Sequence, residues 1–340
     1  MRKSQITQDN QIIELMRVPE TKHDLDWLKE SLQAAIKLEF ATLPPYLAAL
    51  WSIQDDMHPV ARSIRKHIAE EEMLHMALAC NLLTAVGGKP ALNTPEAVPT
   101  YPSPLPGGVN PDLVVPLCAL SLKSLQIFLE IEYPEFGPIA TVRAETFSTI
   151  GAFYTAIQNA FETLKPRLTE ERQMEGPFGL SKIRSLNDVY LAIEIIKRQG
   201  EGSKASPEDT GPDDLAHYYR FAEIYHGKKL RKNEASGKWE FDGDPVPFPS
   251  VWSMAEIPIG GYQQQDVSAE VWQLLEQFDQ RFTTMTNQLQ AAWENGDSTS
   301  LGASIGTMFQ LKETAKRLMQ IPIPSGSGNY GPCFRLVQMS

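Results

Sequence analysis

Over most of this chain the apolar positions recur at steps of three and four, the period of an α-helix. Eight segments show it. Leu25, Leu28, Leu32, Ala35 and Leu43 mark the first, from about residue 24 to beyond 43. Pro44-Pro45 interrupts it, although Tyr46, Leu47 and Leu50 continue the pattern. The second runs over about 59–86 and stops at Gly87-Gly88. Residues 88–115 are rich in Pro and Gly and read as a long crossover. The third helix covers 116–133, the fourth 149–164, the fifth 186–199 and the sixth 212–229. Ser185 is the expected N-cap of the fifth and Gly200 its stop signal. An excursion comes next, with a β-hairpin expected around Ser236-Gly237. Val271, Leu274, Phe278, Phe282, Met285 and Leu289 mark the seventh helix. Leu301, Ile305, Met308, Ala315 and Leu318 mark the eighth. The first twenty residues read as an arm, and the tail after the eighth helix holds too many breakers to be helical. The chain is therefore all-α, in three parts: a bundle over 1–230, an irregular excursion over 231–262, and a helical pair with its tail over 263–340.

Some acidic residues fall on the wrong face. Steps of three and four from Leu32 and Ala35 lead to position 39, which is Glu39. In the second helix the stripe Ile64, Ile68, Ala79, Leu82 passes through Glu72 and His75. In the third, Leu125 and Phe128 lead to Glu132. A buried carboxylate needs a cation, a partner or a proton. One such residue is ordinarily a helix-end residue or half of an ion pair, and Glu70 and Glu71 beside Glu72 read as charged surface. Three helices with the same violation point to a shared cation site. Glu-x-x-His sets an oxygen and a nitrogen donor side by side, and helical bundles hold two metal ions with such pairs plus single glutamates. Two pairs compete to complete the site. Glu223-x-x-His226 has the expected spacing, and Glu201 with His217 is the other choice; Glu194 lies off the inner face.

Composition narrows the partners. The net charge of −11 and the lack of a dense basic run exclude nucleic acid. No apolar stretch reaches membrane length, and the polar start has no signal-peptide core, so a cytoplasmic location is expected. Cys80, Cys118 and Cys333 form neither a disulfide framework nor a zinc pattern.

Six stretches carry a resemblance: LEFATLPPYL (38–47), EEMLHMA (71–77), FLEIEYPE (128–135), RQGEG (198–202), HYYRFAEIYHG (217–227) and LGASIGTMFQLKETAKRLMQIPIP (301–324) with the GPCF ending. In this order they resemble the ferritin-like domain of the iminophenyl-pyruvate dimer synthase family, associated with violacein and indolocarbazole pathways. The resemblance implies a ferritin-like bundle with added C-terminal helices and a non-haem iron site. RQGEG and HYYRF being features of that family, it favours Glu201 and His217 as the last ligands over Glu223 and His226.

The expected function is that of a di-metal oxidoreductase. Two ions, iron or alternatively manganese, held by Glu39, Glu72, His75, Glu132, Glu201 and His217, would act with dioxygen or peroxide. The resemblance suggests a small, amino-acid-derived aromatic substrate. Phe40, Tyr46 and Tyr218 are candidates to line its pocket. Iron storage and a non-catalytic, metal-stabilised bundle are the competing readings. The C-terminal pair is expected to close the substrate pocket or to form a homodimer contact.

Overall fold

The computed structural model describes residues 10–134, 149–202, 206–208 and 214–338. Part of the expected arm is helix: α1 (Gln11–Arg17) buries Ile12 completely against the turn at Pro106–Gly108. Residues 1–9 lie outside the described residues. α2 (Leu25–Ser52) starts at Asp24, whose carboxylate accepts the Trp27 N–H at 2.8 Å. It does not break at Pro44-Pro45. The prolines withhold the N–H groups that the carbonyls of Phe40 and Ala41 would accept. The crossover supplies a substitute, because the Tyr101 hydroxyl donates to the Ala41 carbonyl at 2.7 Å.

The second expected helix is three pieces: α3 (Pro59–Ile64), a π-turn over Arg65–Ala69, and α4 (Glu70–Ala85). Gly87, with φ of 76°, lies just past its end and supplies the left-handed turn there. The crossover carries a short antiparallel ladder, β1 (Ser103–Pro104) with β2 (Val114–Val115).

α5 is shorter than expected. It spans Leu122–Ile131, because Ser121 and Ser124 form a capping box that fixes its start. Replacing Ser121 by Ala should therefore destabilise the protein by about 1 kcal/mol. Urea unfolding of the variant checks this, and an unchanged midpoint would refute the role given to the cap.

α6 (Ile150–Leu164) and α7 (Leu186–Glu201) begin at the caps Thr149 and Ser185. α7 runs two residues past the expected end and so carries Gln199 and Glu201 on the helix. α8 is His217–His226; of the expected start at 212, residues 212–213 lie outside the described set. β3 (Arg231–Lys232) and β4 (Trp239–Glu240) form the hairpin around Ser236-Gly237. α9 (Ala269–Asn295) and α10 (Ser298–Met319) complete the helices, and residues 320–338 carry none.

α2 packs on α4, α6 on α7, and α5 on α8, with further contacts from α2 to α6 and from α7 to α4 and α8. This is a ferritin-like bundle of broken helices. The α9–α10 hairpin lies on the outside of α2. Its side chains join the bundle in one continuous core: Phe278 and Phe282 meet Phe334 of the tail edge-on, and Phe334 stacks on Trp51. Residues 263–338 are thus not a separate core. Between this hairpin and α2–α4 lies an apolar concavity of about 780 Å³, counted with its open mouth. Phe40, Met73, Met76 and Trp293 are among its walls. Among the described residues no helix is long and apolar enough to cross a membrane, and the three cysteines are free.

Candidate metal centre

Glu39 on α2 and Glu72 and His75 on α4 face one another across the most extensively packed helix pair of the bundle. Glu132, at the end of α5, and His217, the first residue of α8, reach the same point from the opposite side. All five are at least 94% buried. Their donor atoms form two groups, each within 4.8 Å: Glu39, Glu72 and His75, and Glu72, Glu132 and His217. Glu72 belongs to both.

Each carboxylate is held by one oxygen and offers the other. The Tyr154 hydroxyl donates to Glu39 Oε1 at 2.6 Å, the Tyr46 hydroxyl to Glu132 Oε1 at 2.5 Å, and the Thr42 hydroxyl lies 2.6 Å from Glu72 Oε2. The free oxygens face the histidines. Glu39 Oε2 and Glu72 Oε1 are each 3.7 Å from His75 Nδ1. Glu72 Oε1 and Glu132 Oε2 are 2.8 and 3.8 Å from His217 Nδ1. The imidazoles are anchored from behind in the same way. His75 Nε2 meets Gln199 Oε1 at 2.9 Å, and His217 Nε2 meets Glu71 Oε2 at 3.1 Å. Both partners accept, so both Nε2 atoms carry the proton and both Nδ1 lone pairs point inward.

Protons bear on this cluster strongly. Burial, reinforced by the charge of Glu72, pushes Glu132 up to about 8. Burial also raises Glu39. Burial acts upward on Glu72 as well, but the close approach and charge of His217 and the charge of His75 outweigh it, and Glu72 sits below the usual carboxylate range. For His217 and His75 burial acts downward and is outweighed by the surrounding carboxylates, so both titrate above the ordinary imidazole range. Tyr46 and Tyr154 are raised by burial and by the neighbouring carboxylates, which keeps both as hydrogen-bond donors.

The donor set fits divalent cations. His217 Nδ1 is buried and makes no hydrogen bond, although a carboxylate oxygen lies close to it. An inward lone pair beside two carboxylate oxygens, from Glu72 and Glu132, is the arrangement a metal ion satisfies. Three carboxylates with two imidazoles suit iron or manganese better than structural zinc.

Of the expected ligands, Glu201 stands apart. It lines the cavity next to the cluster, but its Oε1 accepts the Gly151 N–H at 2.9 Å, at the start of α6. A side chain at Gly151 would collide with that carboxylate, since a Cβ there would lie 2.7 Å from Oε2. The pair Glu223 and His226 is elsewhere. Glu223 accepts from Lys229 Nζ at 2.6 Å and the Leu230 N–H at 2.9 Å, and His226 stacks on Phe241. Among the aromatic candidates Tyr46 reaches the cluster. Phe40 faces the apolar concavity instead, and Tyr218 packs edge-on to Tyr133 and Tyr219.

Sequence reasoning misses Thr42, Tyr154, Gln199 and Glu71. Thr42 lies three residues after Glu39 and so shares its face. Tyr154 lies four after Ile150 and three before Ile157, which sets a hydroxyl on an apolar stripe. Gln199 belongs to the RQGEG stretch. Glu71 reads as surface, yet its carboxylate turns inward to His217.

Comparison with known proteins agrees with this architecture. A ferritin-like protein of Caulobacter vibrioides superposes with a TM-score of 0.66 at 21% identity, over 93% of this chain and 99% of that one. The dichlorochromopyrrolate synthase of Lentzea aerocolonigenes is 29% identical over 311 residues, which is 79% of this chain. The chain spans only 29% of that relative's length. The solved structure shows the fold, and the likeness to the synthase supports the resemblance carried by the motifs. The Ferritin-like family model matches residues 32–226, the stretch that holds all five converging side chains, and the chain belongs to the Ferritin-like family.

Proposed function

We propose that the chain holds two divalent ions, iron in the working protein, and uses them to oxidise a small aromatic metabolite with dioxygen or peroxide. The observation that carries this is Glu72, whose Oε1 faces both inward imidazole nitrogens and so can serve two ions at once. Bound iron supplies redox chemistry and activation of dioxygen or peroxide. The protein does the rest. Tyr46, Tyr154 and Thr42 orient the carboxylates, and Gln199 and Glu71 fix the imidazole tautomers. A cavity of about 430 Å³, counted with its open mouth, is lined by Glu39, Glu72, His75 and Glu132 themselves, with Leu38, Ile131, Ile150 and Ile196 as apolar walls and Lys197 among its polar lining. Its apolar walls beside the carboxylates make it the candidate place for a small organic substrate to approach the ions. The synthase among the relatives supports an enzyme over a storage protein. The resemblance to the iminophenyl-pyruvate dimer synthase family supports an amino-acid-derived substrate.

Calorimetric titration of metal-free protein with Fe²⁺ under argon tests the site. Two ions per chain are expected, and a chain that binds none overturns the proposal. Dioxygen uptake with repeated turnover of an added aromatic amino-acid-derived imine tests the enzyme; uptake that stops when the iron is oxidised would make the chain a storage protein.

The protons give this titration a predicted slope. Glu132, and the two histidines raised with it, must lose protons to bind metal. Affinity should therefore fall steadily as pH drops below about 8, and uptake at pH 7 should release protons into the buffer. Measuring heats in buffers of different ionisation enthalpy counts them. Affinity that is flat between pH 8 and 6 would show that these groups do not ligate.

A further inference from the structure

Resting on the two-ion reading above, we infer that the two metal positions are unequal, and that Glu71 is the positioning residue that makes the His217 position the tighter one. The two halves of the cluster are matched in almost every respect. Each has one carboxylate of its own, Glu39 or Glu132, and each shares Glu72. Each private carboxylate is held by a tyrosine hydroxyl, from Tyr154 or Tyr46. Each has one imidazole presenting Nδ1. The difference lies behind the rings. His75 Nε2 leans on the neutral amide of Gln199, whereas His217 Nε2 leans on the carboxylate of Glu71.

An N–H that donates to a carboxylate pushes electron density to the opposite ring nitrogen more than one that donates to an amide. His217 is therefore the stronger donor. The His217 side chain is fully buried and that of Glu71 only 18% exposed, so solvent screens the effect in part. Two independent features support the assignment. Glu72 Oε1 lies 2.8 Å from His217 Nδ1 but 3.7 Å from His75 Nδ1, so the shared carboxylate already leans towards the His217 half. Glu71 is itself steered, since its other oxygen lies 3.5 Å from His67 Nδ1.

Titration with Mn²⁺, followed by calorimetry and by the electron paramagnetic resonance of free Mn²⁺, tests this without reference to activity. Wild-type protein should show two steps, the tighter one lost in His217→Ala and the weaker one in His75→Ala. Glu71→Gln keeps the hydrogen bond and removes the charge. It should weaken the tighter step by roughly 10- to 100-fold and leave the other within about twofold. Gln199→Glu should do the reverse, strengthening the weaker step. A purely structural role for Glu71 would lower both steps together. That result, a single indistinguishable pair of sites, or a tighter step that survives His217→Ala would each overturn the inference while leaving the metal site in place. Wild-type protein that binds no Mn²⁺ and no Fe²⁺ would instead overturn the metal-site reading on which it rests.

Discussion

Glu72→Ala is expected to abolish tight metal binding altogether, weakening both steps by more than about 100-fold, and to abolish turnover with it. No other ligand among the described residues has this reach, because Glu72 alone belongs to both donor groups. Glu39 or Glu132 removed singly would spare one position. The metal-free fold should survive the change. Three carboxylates within one small buried volume repel one another and are costly to desolvate, so the loss of one relieves as much as it disrupts. Glu70→Ala, two residues away on the same helix, should stay within about twofold of wild type, since the off-face glutamate makes no contact with the cluster and surface changes of this kind act weakly. Calorimetric titration with Fe²⁺ and far-UV circular dichroism of both variants decide the matter. Metal retained by Glu72→Ala would sink the bridging role; metal lost equally from Glu70→Ala would show a general effect of helix charge.

The largest effect on stability is expected from Asn81→Leu, about 4 kcal/mol or more. Asn81 sits on α4, fully buried, with every bonding position of its amide used. Its Nδ2 donates to the carbonyls of Met174 and Ser181 at 2.8 and 2.9 Å. Its Oδ1 accepts the Met174 N–H and the Trp293 indole N–H, both at 2.9 Å. One side chain thus joins the metal-bearing helix, the loop before α7, and the C-terminal hairpin. Leucine matches its size but strands those groups, and each buried group left unpaired costs about 1–3 kcal/mol. Against a total stability of typically ~5–15 kcal/mol the loss is large. Urea unfolding followed by tryptophan fluorescence measures it; a change below about 1 kcal/mol would mean that water replaces the amide.

How far the sequence discloses this structure depends on what each signal constrains. Helical periodicity constrains which side chains share a face, so Glu39, Glu72, His75 and Glu132 are legible from their own stripes. It says little about where a helix starts and stops. Pro44-Pro45 reads as a break because the sequence does not show that Tyr101, some sixty residues away, serves a carbonyl they leave open. Pro116 reads as a helix start, although Ser121 with Ser124 holds the cap. Spacing also leaves open which face turns inward. Glu223-x-x-His226 has the right spacing, but its carboxylate is buried against Lys229 and Leu230 at the root of the hairpin. His217, outside any Glu-x-x-His pair but on the same face as Phe221 and Ile224, reaches the cluster from the first position of α8. Glu71 escapes for a related reason: hydropathy marks a charged residue as outward, and cannot show that another helix brings a histidine to it.

The π-turn over Arg65–Ala69 can be thought of as an insertion carried within a helix. Such a turn holds one residue more than the α-turn it replaces, and so resets the phase of the next helical segment by about 100°. Before it, Val60, Ala61 and Ile64 are buried; after it, Glu72, His75 and Ala79 are. A deletion of one residue there would restore an unbroken α-helix of good local geometry. It would also leave the two halves out of register, so that seating Val60 and Ile64 in the core would swing Glu72 and His75 aside. In the language of insertions and deletions, this stretch has a fixed length, set by the two residues it delivers to the centre as well as by Ile68 and Ala69, which it buries itself.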